Sequence, residues 1–179
     1  RILAYISDDP ALIHVVETTD PHQSNADFLG IERGPAKNVT YAKIYGGGVQ
    51  VIMETAGIRD RRVAQALNDR WESVYTVAWS WIEKQTRLGL STGWVHTLLG
   101  RPVAIPLYVP EYEAAKKPAN FTIQGTGGDV IKRSLLMLDK AGVDIVLTLH
   151  DENLMEGRLT HQDLIDIGVE HILPFRLPV

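Results

Sequence analysis

The spacing of apolar residues along the chain predicts a helix-rich fold with a few short strands. In several segments apolar side chains recur at helical spacing, and N-cap residues or glycines mark the segment ends. The predicted helices span residues 1–6, 10–18, 34–45, 60–85 and 120–141. A loop is predicted at residues 19–22. The aromatic residues of the 60–85 segment are expected in the core, and Gly89 is expected beyond its end.

Strands are predicted in the C-terminal half. Residues 93–106 have a turn at residues 100–102 between two apolar stretches, which is typical of a β-hairpin. Residues 143–149 alternate between apolar and polar as a strand does, and residues 150–153 are predicted to turn the chain. An edge strand is predicted over residues 173–179. The pattern as a whole indicates an α+β fold with a small antiparallel sheet.

Composition excludes several classes of protein. The chain has 179 residues, the size of one domain, and 45% of them are apolar, which is enough for a buried core. Its net charge of −4 is no signature of nucleic-acid or membrane binding, so any basic site must be local. The absence of cysteine excludes disulfides, thiolate metal sites and cysteine nucleophiles. No apolar run approaches the length of about 18 residues that spans a bilayer, so no membrane partner is expected.

A cationic and aromatic face is predicted on the helix at residues 34–45. Intervals of four residues place four side chains one helical turn apart: Arg33, Lys37, Tyr41 and Tyr45. Residues 33–46 contain no acid and have a local charge of +3, to which Lys43 contributes. Cations near a helix start followed by aromatic rings suit a polyanion attached to a flat heterocycle, such as a nucleoside triphosphate. The alternative is a solvated basic stripe with two tyrosines.

A second candidate site lies after the predicted strand, where His150, Asp151 and Glu152 are adjacent. Neighbouring carboxylates can hold Mg²⁺, and two Mg²⁺ ions can clamp an in-line phosphoryl transfer. A metal role needs another carboxylate nearby. The alternative is an ordinary hairpin turn, in which Asp and Asn are common for backbone reasons.

The start of the last predicted helix is a third candidate site. Asn120 and Gln124 lie four residues apart, and Gly125, Gly127 and Gly128 follow them. Amide side chains can donate to base acceptors in a minor groove, and the cost of glycine in a helix indicates close backbone contact there. The alternative is an ordinary capped helix with polar groups on its surface.

These segments, taken in order, resemble family A DNA polymerases, the group of bacterial DNA polymerase I and its phage relatives. The fingers motif of that family is similar to residues 33–46, RGPAKNVTYAKIYG. Its last catalytic motif is similar to residues 150–152, and the segment before that motif is similar to residues 120–133. Two further family elements resemble DPH at residues 20–22 and TLLGR at residues 97–101. Chance does not explain five matches in family order.

The resemblance implies roles at the incoming nucleotide. His22, Arg33 and Lys37 would contact its triphosphate. Tyr41 would pack on its sugar, and Tyr45 would lie beside the templating base.

The resemblance also implies DNA and metal contacts. Three residues match positions that touch the primer–template minor groove: Lys116, Asn120 and Gln124. His150 would lie near the primer end, Asp151 would bind metal, and Glu152 would lie next to it. With Lys37, these two carboxylates are the predicted catalytic residues. Two Mg²⁺ ions are expected in the complete enzyme, in which the primer 3′-hydroxyl attacks the α-phosphate.

The architecture implied by the resemblance is that of a right-hand polymerase, with helix-rich fingers and part of an antiparallel palm sheet. The fingers would cover residues of about 20–90, and palm elements would cover about 1–19 and 91–179. Ala42 stands where the family commonly has glycine, and Gly127 and Gly128 stand where the family usually has alanine. We expect the other metal-binding Asp upstream of Arg1, so residues 1–179 alone, a fragment of one polymerase domain, would not synthesise DNA.

The expected partners are primer–template DNA and deoxynucleoside triphosphates, bound by a monomer in the cytoplasm of a bacterium or a phage-infected host. Two alternatives stay open. A single-subunit RNA polymerase of the related phage type also places Arg, Lys and Tyr on a fingers helix, although Glu152 after His-Asp argues against it. A non-catalytic nucleic-acid-binding remnant would keep the basic helix but would need no metal.

Overall fold

The computed structural model of the chain describes residues 1–149, 152–157, 159–168 and 172–173. Its helices are α1 (Ile2–Ser7), α2 (Pro10–Thr18), α3 (Pro21–Leu29), α4 (Arg33–Ile44), α5 (Val49–Ala56), α6 (Arg61–Val74), α7 (Thr76–Thr92), α8 (Glu111–Ala114), α9 (Pro118–Lys140) and α10 (His161–Gly168). Its strands are β1 (Trp94–His96), β2 (Pro102–Ala104), β3 (Asp144–Leu149) and β4 (Glu152–Glu156). The fold is a mostly helical α+β domain, as predicted, but its described strands form two small antiparallel sheets rather than the single predicted sheet. None of the described helices combines the length and the apolar character needed to cross a membrane.

The core consists of two main apolar clusters that α6 connects. The first lies between α1, α2, α7 and α9, and it encloses the fully buried rings of Trp71 and Tyr75. The second lies between α3, α4, α5 and α6. Small buried residues such as Ala36 and Ala64 let these helices approach closely. The second cluster therefore sets the position of α4, the helix that carries the predicted cationic and aromatic face.

The prediction of one helix over residues 60–85 is wrong, because the chain breaks at Tyr75 between α6 and α7. Asp9, which is 1% exposed, lies next to this break. Its carboxylate accepts hydrogen bonds from three backbone N–H groups, those of Leu12, Val77 and Ala78. A single carboxylate therefore caps the start of α2 and also the start of α7.

The break changes which part of the predicted apolar pattern is buried. Trp71 is in the core as expected, but three valines of the pattern are exposed: Val63, Val74 and Val77. Gly89 lies inside α7 rather than beyond its end. A Cβ at Gly89 would lie 2.5 Å from Pro118 Cγ, so glycine is required for α7 to pack against α9.

Two helices that the apolar pattern does not predict, α3 and α5, flank α4. α3 begins at Pro21, so residues 21–22 are helical and the predicted loop is shorter than expected. Asp20 caps this helix by accepting from the His22 N–H at 2.9 Å. α3 contains few apolar residues and α5 is barely more than two turns long, so neither produces a strong periodic signal. The short helices α8 and α10 are not predicted either.

β1 and β2 form the antiparallel hairpin that the turn residues predict. Arg101, in the turn, donates to Asp129 Oδ1 at 2.7 Å and to the Gly125 carbonyl at 3.1 Å. A Cβ at Gly125 would lie 2.8 Å from Thr97 Cγ2. This confirms the predicted close contact at Gly125, but a Cβ at Gly127 would meet Ile2 Cδ1 at an ordinary 3.5 Å and one at Gly128 would meet open space.

β3 and β4 form a second two-stranded antiparallel sheet, in which Leu149 pairs with Glu152. The predicted strand is confirmed, but Glu152 and Asn153 belong to β4 rather than to the predicted turn. His150 and Asp151 lie outside the described residues, as do residues 174–179 of the predicted edge strand.

Replacing Asp9 tests the double cap. We expect Asp9→Ala to lower the free energy of unfolding by about 3 kcal/mol, because three hydrogen bonds to a buried carboxylate are lost. The matched control is Asp60→Ala, since Asp60 is exposed and caps α6 through the Arg62 N–H. There we expect a loss of about 1 kcal/mol. Urea unfolding measures both values, and equal losses would contradict the double cap.

Candidate nucleotide and nucleic-acid site

One side of α4 carries an aromatic face, formed by Lys37, Tyr41 and Tyr45 in successive turns, as the four-residue spacing predicts. The two tyrosine rings stack with centroids 5.9 Å apart and an interplanar angle of 20°. Lys37 Nζ lies 5.6 Å from the centroid of the Tyr41 ring. Both tyrosines are 37% exposed. The aromatic face therefore presents a cation beside accessible ring surface.

His22, near the start of α3, packs against the aromatic face. Its ring meets the Tyr41 ring edge to face, with centroids 5.6 Å apart. Burial, and after it the Arg33 cation, holds the pKa of His22 below its ordinary value, so the imidazole is neutral at neutral pH. Its Nδ1 atom is buried and has no hydrogen-bond partner among the described residues. This nitrogen is thus left unsatisfied by the described residues of the chain.

Arg33, predicted on the same face of α4 as Lys37 and the tyrosines, forms an ion pair with Asp20. Its Nε and Nη2 atoms donate to Asp20 Oδ2 at 3.0 and 2.8 Å. This hydrogen bonding holds the pKa of the Asp20 carboxyl below its usual range. The Arg33 side chain stays 51% exposed, so its remaining donors are accessible. Asp20 thus links the start of α3 to α4 through Arg33. In the sequence, the only sign of this role is an Asp directly before a proline that can start a helix.

A buried chain of hydrogen bonds joins α3 and α4 to the break at Tyr75. The Tyr75 hydroxyl donates to Asn25 Oδ1 at 2.6 Å, and Asn25 Nδ2 donates to Thr40 Oγ1 at 3.0 Å. Burial raises the pKa of Tyr75 to about 12, so its hydroxyl remains a donor. These positioning residues could not be predicted from the sequence, because a buried Asn or Thr has no periodic signal of its own.

The structure brings α9 against the aromatic face. Gln124 Nε2 donates to the Tyr45 hydroxyl at 3.0 Å. Between α4, α5 and the start of α9 lies a cleft of about 470 Å³, whose lining includes Tyr45, Lys116, Lys117 and Asn120. Asn120 Oδ1 is buried and has no hydrogen-bond partner in the described part of the chain. The residues predicted to contact DNA therefore lie together beside the tyrosines: Lys116, just before α9, and Asn120 and Gln124 in α9.

Glycine makes this approach possible. Gly46 has a φ of 70°, and a Cβ there would lie 3.0 Å from Lys116 Cα. A Cβ at Gly47 would lie 2.9 Å from the Ala42 carbonyl oxygen. The glycine run thus ends α4, as predicted, and also admits the backbone that precedes α9.

Lys43 does not belong to the aromatic face. It is 1% exposed, and its Nζ donates to Asn68 Oδ1 at 2.7 Å and to Glu72 Oε1 at 2.5 Å. The same atom lies 3.7 Å from the centroid of the Trp79 ring. Burial lowers the pKa of Lys43, and Glu72 opposes this effect. The local charge of +3 counted from the sequence therefore overstates the cations available to a ligand.

The described residues do not complete the predicted metal site. Within them, no group of three or more His, Cys, Asp or Glu side chains is placed to hold a metal ion. His150 and Asp151 lie outside the described part, and Glu152 begins β4. Carboxylate oxygens are the hard ligands that Mg²⁺ prefers, so the donor types suit the ion. The assignment of Mg²⁺ to Asp151 stays a prediction.

The chain is similar in sequence to curated DNA polymerases. It is 29% identical to DNA polymerase I of Pseudomonas aeruginosa, over 97% of its own length and 21% of that protein. It is 28% identical to the DNA polymerase of Mycobacterium phage L5, over 85% of its own length and 25% of that protein. The chain thus spans only about a fifth to a quarter of the length of these relatives.

The fold is similar to that of a solved polymerase structure. The POL domain of Pol1 from M. smegmatis, in complex with DNA primer-template and dNTP, superimposes with a TM-score of 0.78 and 22% identity over 93% of this chain and 33% of that one. At this identity the likeness concerns the fold alone. The family model described as DNA polymerase family A matches residues 1–173. Because that match covers nearly the whole chain, the chain belongs to DNA polymerase family A.

Proposed function

We propose that this chain forms the nucleotide-binding surface and part of the DNA-binding surface of a DNA-directed DNA polymerase. The observation that carries the proposal is the continuous contact of His22 with the aromatic face of α4, against which Gln124 of α9 closes. Cations beside stacked rings are complementary to a triphosphate on a flat base. The adjoining amides suit the edges of paired bases.

The triphosphate is assigned to Arg33, Lys37 and His22. Arg33 and Lys37 lie in the first turns of α4, where the backbone N–H groups add to their attraction for an anion. Lys37 is the catalytic member, because its ammonium would stabilise charge that develops on the phosphates. Tyr41 is assigned to the sugar, since its ring lies between His22 and Tyr45.

The primer–template is assigned to the side of the aromatic face that meets α9. Tyr45 would contact the templating base. Gln124 would then give up its hydrogen bond to the Tyr45 hydroxyl and form one to DNA. Asn120 Oδ1, a buried acceptor without a partner among the described residues, would accept from a base amino group. Lys116 would contact the same groove, and His150 is assigned to the primer end.

The reaction needs Mg²⁺, which we assign to Asp151, with Glu152 as the neighbouring carboxylate. Two bound ions would supply Lewis-acid stabilisation of the phosphates and would orient the in-line attack. On this proposal residues of about 20–90 are fingers, and about 1–19 and 91–179 are palm elements. Membership of the DNA polymerase family argues against the phage-type RNA polymerase. The similarity to bacterial and phage enzymes supports a bacterial or phage-infected cell as the place of action.

Lys37→Ala should weaken the binding of a deoxynucleoside triphosphate by about 10- to 150-fold, since a charge-assisted hydrogen bond contributes about 1.5–3 kcal/mol. Isothermal titration calorimetry measures this affinity. Lys84→Ala removes the same charge from an exposed position of α7 and should leave the affinity unchanged. Equal weakening in the two variants would show a general charge effect and would contradict the assignment of Lys37.

Nucleotide affinity should rise as the pH falls from about 8 to about 6, because bound phosphates would raise the pKa of His22 and cause proton uptake. In the free chain, burial and Arg33 keep that pKa low. His22→Gln should leave only the pH dependence of the triphosphate itself. Dissociation constants across this pH range measure the difference. An identical pH dependence in the variant and the parent would remove His22 from the phosphate site.

Catalysis can be tested in a hybrid of the Pseudomonas aeruginosa relative in which this chain replaces the matching segment. Asp151→Asn should lower primer extension by about 10³-fold or more while sparing primer–template affinity, because a metal stabilises charge that develops in the transition state. Asp144→Asn, an exposed change at the start of β3, is the matched control and should extend normally. Near-normal extension by Asp151→Asn would end the metal assignment and favour the non-catalytic alternative.

A further inference from the structure

Lys117 lines the cleft beside Tyr45, but neither the family resemblance nor the proposed function gives it a role. It directly follows Lys116, whose backbone packs against Gly46 at the end of α4. This contact holds the approach to α9 against the aromatic face. Lys117 is therefore kept close to the tyrosines by the backbone and not by a contact of its own side chain.

The Lys117 ammonium has no ion pair, hydrogen bond or ring contact within the part of the chain that the structure describes. Lys116 differs, because its Nζ lies 5.6 Å from the centroid of the Tyr112 ring. Lys117 is also the N-cap residue of α9, and no side chain caps that helix start. A cation at the positive end of a helix is unfavourable. An anionic ligand would satisfy both the lysine and the uncapped N–H groups.

The cleft has the chemistry and the size of a site for single-stranded nucleic acid. Among its described lining residues are two lysines, two tyrosines and no acid. Exposed tyrosines stack on bases, and lysines bind backbone phosphates. A volume of about 470 Å³ accepts a group the size of one nucleotide.

We propose that Lys117 is a further DNA-binding residue, which contacts a backbone phosphate of the unpaired template strand ahead of the primer end. The inference rests on the proposed function, because it takes Tyr45 as the neighbour of the templating base. The template enters the cleft on this side, where the Lys117 charge and the start of α9 attract phosphate. The contact does not depend on base sequence.

The test measures DNA binding by the 179-residue chain through fluorescence anisotropy at several salt concentrations. The probes are a primer–template with an unpaired 5′ template extension and a blunt duplex of equal duplex length. Lys117→Ala should lower the slope of log affinity against log salt by about 0.7 for the extended DNA and weaken its binding about 3- to 10-fold at about 0.1 M salt. Binding of the blunt duplex should be unchanged, and Lys117→Arg should retain the parent slope.

Lys140→Ala is the matched control, because it removes one positive charge from the other end of α9, about 35 Å away at 1.5 Å per residue. It should leave the salt slope unchanged. Thermal unfolding separates binding from stability, since Lys117→Ala removes a cation from the positive helix end and should not lower the midpoint.

Each other outcome contradicts a specific part of the proposal. An unchanged slope in Lys117→Ala would show a solvated lysine, and equal losses on blunt and extended DNA would place the lysine on the duplex backbone instead. If Asn120→Ala weakens binding and Lys117→Ala does not, this inference fails while the proposed function stands. Failure of the parent chain to bind either DNA would overturn both.

Discussion

The arrangement of the helices depends on one buried carboxylate, that of Asp9. Its two oxygens accept hydrogen bonds from N–H groups at the starts of α2 and α7. Val77, the first of the two donors in α7, lies 68 residues from Asp9 in the sequence. Because this contact specifies where α7 begins, the preceding helix must end and the Tyr75 ring must enter the core. The Tyr75 hydroxyl then reaches Asn25 in α3, and Asn25 reaches Thr40 in α4. A residue that lies far from α4 in the sequence is thus connected to it through these hydrogen bonds.

Two lysines of α4, Lys43 and Lys37, differ in how their charges are compensated. Lys43, enclosed by Glu72, Asn68 and the Trp79 ring, has the partners that a buried cation requires. Lys37, on the same helix, has a ring beside it and no carboxylate among the described ion pairs. This difference follows from the direction in which each side chain leaves α4. A count of charges along a helical segment therefore describes a binding surface only after each residue is assigned to a face of the helix, at about 100° of rotation per residue.

The sequence was sufficient for α4, α9 and the β1–β2 hairpin, because spacing and glycine or turn residues mark their ends locally. It did not reveal α3, whose few apolar residues give a weak signal, or the break at Tyr75, whose cause is the distant Asp9. At the site, the four-residue spacing correctly placed the tyrosines and Lys37 on one face. The pairing of Arg33 with Asp20 could not be read from that spacing, since it depends on how α3 packs beside α4.

The N-terminal half of α9 collects features that weaken a helix: an uncapped start at Lys117 and three glycines, Gly125, Gly127 and Gly128. Each interior glycine costs about 1 kcal/mol relative to alanine. Tertiary contacts offset this cost, because Arg101 of the hairpin binds Asp129 and the Leu98 N–H donates to Thr126 Oγ1. Asn120 and Gln124 lie in this same half, so the surface proposed to meet DNA belongs to a helix segment that its neighbours hold in shape. On the proposed function, its hairpin contacts would support DNA binding indirectly, because they hold the residues that would touch DNA in position.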